Sequence, residues 1–94
     1  MQITGKIHEI GTTENVTDSF KKRAVIIEYI ENNPQYPEYI SIEAVQDKCA
    51  VLDGYSVGDN VEVFFNLKGR PHTNRNTGVK NYYNQIQLWK INKV

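Results

Sequence analysis

Three observations in the 94-residue sequence predict an all-β protein, a five-stranded OB-fold barrel with a short helix between strands 3 and 4. Ile, Val, Thr, Tyr and Phe recur with a period of two, the alternation of half-buried strands. Clusters of Gly, Asn, Asp and Pro cut that alternation into five runs. Between the third and fourth runs the alternation gives way to a single helical stretch. Five short strands in this order fit the small, partly open Greek-key barrel. An SH3-like barrel also has five strands, but a helix at that point is less expected there.

The first strand is read over residues 2–10, with Ile3 and Ile7 on one face and Gly5 between them, marking a bend or bulge. Residues 11–19 are polar and read as a loop. The second strand spans 20–30, basic at its start and apolar at its end, with Val25, Ile27 and Tyr29 alternating. Residues 32–37 hold Pro34 and Pro37 and read as a turn, because proline cannot donate to a ladder. The third strand, 39–45, puts Ile40, Ile42 and Ala44 inward and Tyr39, Ser41 and Glu43 outward. Cys49, Val51 and Leu52 behind Asp47, a candidate N-cap, predict a short helix ended by Asp53 and Gly54. Residues 56–59 form a turn into the fourth strand. There Val61, Val63, Phe65 and Leu67 point inward, and Glu62, Phe64 and Asn66 outward. Residues 69–80 lack apolar periodicity and read as a long hairpin tip. The fifth strand, 81–91, alternates Ile86 and Leu88 with Gln85, Gln87 and Trp89.

Length and composition set the frame. At this size one domain, 1–94, is expected, with one core. An apolar fraction of 39% with 23% charged residues excludes a disordered chain. The longest apolar run, 24–27, is far too short for a membrane span or a signal-peptide core. A lone Cys49 leaves no internal disulfide, reads as a small core residue and fits a cytoplasmic location. The net charge is zero, which taken whole argues against nucleic acid. By segment it does not. Residues 1–23 carry four cations against three acids, 24–65 carry Lys48 against eight acids, and 66–94 carry six cations and no acid. The zero is a cancellation of +1, −7 and +6, the asymmetry that a polar binding face leaves in a sequence.

Catalysis finds no support. His8 and His72 belong to no nucleophile–base spacing, and HExxH, CxxC, GxGxxG and Walker glycine–lysine patterns are missing. No enzyme activity, cofactor or metal is expected. The stronger signal is cations interleaved with aromatic rings. Single-stranded nucleic acid is held by charges on its phosphates and by flat side chains on which bases stack. In an OB-fold the ligand crosses strands 2 and 3 between the loops joining strands 1–2 and 4–5. Phe20, Lys21, Lys22 and Arg23 fall at the first of these places, and Lys68, Arg70, His72, Arg75 and Lys80 at the second. Tyr39, Tyr83 and Trp89 add rings, although each also suits barrel-rim packing. Phe64, a large apolar group on the polar face, reads as a subunit contact.

Three segments carry a family resemblance: MQITGKIHEI at the start, VGDNVEVFFNLKGR in the middle and NYYNQIQLWKI at the end. They resemble a small family of bacterial and phage proteins, a domain of unknown function related to bacterial single-stranded DNA-binding proteins (SSB). The telling parts are M-x-I-x-G-K-I, V-G-D-x-V-x-V-x-F and the closing Trp-Lys-Ile. The resemblance implies an OB-fold, a homo-oligomer (dimer or tetramer) and binding of single-stranded DNA or RNA. It places the grip on Lys21, Lys22, Arg23 and the segment from Arg70 to Lys80. The Gly/Pro/Gln-rich linker and acidic tip of full SSB proteins are not present, so recruitment of partners through a tail is not expected. A non-enzymatic, sequence-independent binder of single strands is the leading expectation. A protein-interaction or oligomerisation module is the other.

Overall fold

A computed structural model describes residues 1–29 and 35–94. Among the described residues six strands form: β1 (Gln2–Ile10), β2 (Glu14–Thr17), β3 (Phe20–Tyr29), β4 (Glu38–Val45), β5 (Asn60–Thr73) and β6 (Lys80–Lys93). One helix, α1 (Lys48–Val51), runs on into a 3-10 turn over Leu52–Gly54. The chain is thus all-β with one short helix, as expected, but the helix follows the fourth strand. The reason is β2, formed from residues expected to be loop. Asn15 pairs with Lys21 and Glu14 with Lys22, so β2 and the start of β3 make a small hairpin across Asp18 and Ser19. Thr17 Oγ1 accepts the Ser19 amide at 3.3 Å inside that turn. The expected end of the second strand at Ile30 and the turn residues 32–34 lie outside the described residues.

The ladders run β1-β5-β6-β4-β3-β2, and β1 also pairs with β3, so the sheet curls until β1, β5, β6, β4 and β3 form a ring. Four of the ring's joints are antiparallel ladders. The fifth, β4 to β6, is parallel and rests on one bridge pair, Glu43 with Gln87. Within β1 the pairing changes hands: residues 2–6 face β5 and residues 6–10 face β3. Gly5 lies at that crossover. A Cβ there would come within 2.5 Å of the Glu28 carbonyl oxygen, so only glycine lets β1 pass this close to β3. The bulge itself comes later, at His8 between Ile7 and Glu9.

Inward-facing residues of the ring, together with Leu52 of the 3-10 turn, fill one core of Ile7, Val25, Ile27, Ile42, Ala44, Leu52, Val61, Val63, Phe65, Leu88 and Ile91. Burying each large aliphatic side chain contributes about 1.5–3 kcal/mol relative to exposure. Helix α1 covers part of this core with Cys49, whose thiol is buried and donates to the Ala44 carbonyl at 3.4 Å. Asp47 does not cap the helix with its side chain. Gln46, at φ 53, turns the chain instead, and its carbonyl accepts the Cys49 amide. Gly58, at φ 96, makes the turn into β5 and donates its amide to the Ile7 carbonyl.

The β5–β6 ladder does not stop where the core ends. It continues to the pair Thr73 with Lys80, so half of the expected loop 69–80 is paired strand and 74–79 are the turn. Asn74 fastens that turn: its Oδ1 accepts the amides of Asn76 and Thr77, and its own amide donates to Val79. The result is a two-stranded arm projecting from the ring. The radius of gyration is 15.2 Å, against about 12 Å for a compact chain of this length. Leu67, expected inward, is 60% exposed because the core ends at Phe65 and leaves it nothing to pack under.

Candidate nucleic-acid interface

The outer faces of β3, β4 and the arm form one continuous band. Cross-strand pairing sets Lys22 beside Val45, Ala24 beside Glu43, Ile26 beside Ser41 and Glu28 beside Tyr39. β6 follows through the bridge of Glu43 with Gln87, and the Gln85 side-chain amide donates to the Glu43 carboxylate. Along the arm the same face carries the pairs Lys68 with Gln85, Arg70 with Tyr83 and His72 with Asn81. The rings of His72 and Tyr83 sit 5.8 Å apart. Two open grooves mark the band. One, of about 340 Å³, is lined by Lys68, Arg70, Tyr83 and Gln85. The other, of about 570 Å³, lies where the arm leaves the ring, between Ser41 and Glu43 on one side and Lys68, Asn84 and Gln85 on the other.

The residues singled out from the sequence fall into separate groups. Lys68, Arg70, His72 and Tyr83 share the arm's outer face, Arg75 lies in its terminal turn, and Lys80 alternates onto the opposite face with Tyr82. Tyr39 lies on the outer face of β4, and Lys22 on that of β3. Phe20, 37% exposed, stands at the β2–β3 turn. The Lys21 backbone is held from both sides by Gln46.

Arg23 differs from its neighbours. Its guanidinium turns inward, donating to the Gly11 carbonyl at 2.7 Å, to the Cys49 carbonyl at 3.1 Å and to Asp53 at 2.6 Å. It ties the β1–β2 connection to the helix, and its side chain is only 15% exposed. Trp89 is also apart from the arm. It packs on Phe64 with ring centroids 5.4 Å apart, and Lys90 sits over the same Phe64 ring. Lys93 is taken up by Asp59 and the Tyr55 ring. Of the six carboxy-terminal cations, four therefore belong to the arm and two to the base of the ring.

One element of the band was not foreseen. The bulge at His8 brings its imidazole against the Tyr39 ring, with centroids 4.8 Å apart and planes tilted by 57°. In the sequence His8 is only a polar position in a strand. The band is also not uniformly positive, since Glu28 and Glu43 stand between the cations of β3 and those of the arm.

Comparison with known proteins bears on the fold. The chain is similar to a mitochondrial single-stranded DNA-binding protein of S. cerevisiae, Rim1, with a TM-score of 0.66 and 17% identity, over 100% of this chain and 92% of that one. It is also similar to a small single-stranded DNA-binding protein from Streptomyces coelicolor, with a TM-score of 0.56 and 18% identity, over 100% of this chain and 92% of that one. At these identities the likeness is one of fold. No curated protein matches the sequence. A family model does match, over residues 2–92, and by it the chain belongs to the family described as Domain of unknown function (DUF3127).

Proposed function

We propose that this protein is an OB-fold barrel that binds single-stranded nucleic acid without enzymatic chemistry, in a mode largely independent of sequence. The observation that carries the reading is the arm. Lys68, Arg70 and His72 lie on one face beside Tyr83, and that face continues onto the outer side of β4 and β3. Lys22, Lys68, Arg70 and Arg75 would neutralise phosphates, with Lys21 beside them, whereas Lys80, on the arm's opposite face, lies outside this path. Tyr39, Tyr83 and Phe20 would offer rings on which bases stack, each worth about 1–3 kcal/mol. Arg23 acts here by holding the start of β3 in place. The fold shared with two single-stranded DNA-binding proteins supports the same reading.

Fluorescence anisotropy with labelled dT and rU oligonucleotides tests it. Binding at low salt is expected, and its logarithm should fall with the logarithm of salt at a slope of about −3 for some four phosphate contacts. No binding of either at low salt ends the reading.

A second reading has an observation of its own. Phe64 and Trp89 form an aromatic pair on the outer face of β5 and β6, and Trp89 is 44% exposed. Such a pair fits a contact between copies of the chain. A homo-oligomer by light scattering that Phe64→Glu dissociates supports this contact, and a monomer at every concentration removes it.

A further inference from the structure

We propose that the groove at the root of the arm is a base-reading subsite that favours guanine. The proposal rests on the nucleic-acid reading above and adds a preference at one position of the bound strand. The groove measures about 570 Å³, within the range of small-molecule sites. Glu43 stands on one side and Lys68, Asn84 and Gln85 on the other, with Leu67 and Ile86 as an apolar surface.

Glu43 is the group that decides. A carboxylate in the path of a polyanion repels phosphate, so a strand crossing this groove must turn a base towards it and keep its phosphates on the cations of the arm. A carboxylate only accepts hydrogen bonds. It therefore selects the base edge with the most donors. Guanine offers two adjacent ones, N1–H and the N2 amino group, which match the two carboxylate oxygens. Cytosine and adenine offer one amino group beside a ring-nitrogen acceptor. Thymine and uracil place a single N–H between two carbonyl oxygens, both of which the carboxylate repels. Lys68 on the facing wall supplies the donor that guanine O6 needs. The hydrogen bond from Gln85 holds the Glu43 carboxylate against β6, so its orientation is set before a base arrives. Leu67 and Ile86 give the flat face of the base an apolar surface to rest on.

The test is anisotropy on dT oligonucleotides that are all-dT or carry a single central dG, deoxyinosine or dC. One dG is expected to tighten binding on the order of tenfold, the size of a good bidentate contact. Deoxyinosine keeps N1–H and O6 but lacks the amino group, and should fall between dG and dT. Glu43→Gln should abolish the dG preference and tighten binding of all-dT, because a repelling charge is gone. Equal affinity of the unaltered protein for all-dT and dG strands, or a dG preference that survives in Glu43→Gln, overturns the subsite while leaving the wider reading standing. Failure of every one of these strands, and of rU, to bind at low salt overturns both.

Discussion

In β5, Val61, Val63 and Phe65 point into the core, while Leu67, next on the same face, lies 60% exposed. The two halves of the β5–β6 hairpin follow one alternation and one ladder, yet only the lower half has anything to enclose. In the ring, period two separates inside from outside. On the arm it separates two solvent-facing surfaces: one with Lys68, Arg70, His72 and Tyr83, the other with Leu67, Pro71, Tyr82 and Lys80. A two-stranded ribbon by itself is marginal in water. The arm therefore draws its order from the ring and leaves its side chains free for a ligand. On the proposed reading, stability sits in one region and recognition in the other.

The sharpest way to break that division is to cut the same kind of side chain in both places. Ile27→Ala in the ring should cost about 2–5 kcal/mol in urea denaturation. Leu67→Ala on the arm should change stability by less than about 0.5 kcal/mol. Equal losses would mean that the arm is covered in solution. Arg23 and Lys22 give the next contrast, since they are adjacent in sequence and differ in employment. Arg23→Ala strands two carbonyl groups and should cost about 1–2 kcal/mol. Its ion pair adds little to that, because Asp53 is 73% exposed. Lys22→Ala should leave stability unchanged and weaken oligonucleotide binding. The smallest effect is expected from Arg70→Ala. It should keep the melting temperature and make the salt slope of binding shallower by about 0.7, one phosphate contact fewer.

Much of this was legible beforehand, and what was missed shares one cause. Apolar alternation marked β1, β3, β4 and the lower halves of β5 and β6, because there the inner residues must be apolar. The upper half of the hairpin encloses nothing, so residues 69–73 and 80, although paired, carry no apolar signal and read as loop. β2 escaped notice for the same reason, since all four of its residues are exposed. The site was visible as charge and not as geometry. Lys21, Lys22 and Arg23 look alike in sequence. The groups that take up the Arg23 guanidinium lie 12, 26 and 30 residues away, and only the fold brings them together. His8 met Tyr39 through a bulge, a backbone irregularity with no residue of its own to announce it. Glu43 read as one more solvated acid, and acquired a partner in Gln85 only once β6 was laid beside β4.

The lone thiol of Cys49 gives the molecule a built-in clock. It lies sealed beneath α1 against the Ala44 carbonyl, with no second cysteine to confuse the signal. A thiol reagent can reach it only when the helix lifts from the ring, so the labelling rate counts those openings directly. The helix is itself tethered through Arg23 to the β1–β2 connection. A ligand that steadies the start of β3 would therefore slow the clock, and occupancy of the outer face could be timed from a single sulfur on the far side of the strand.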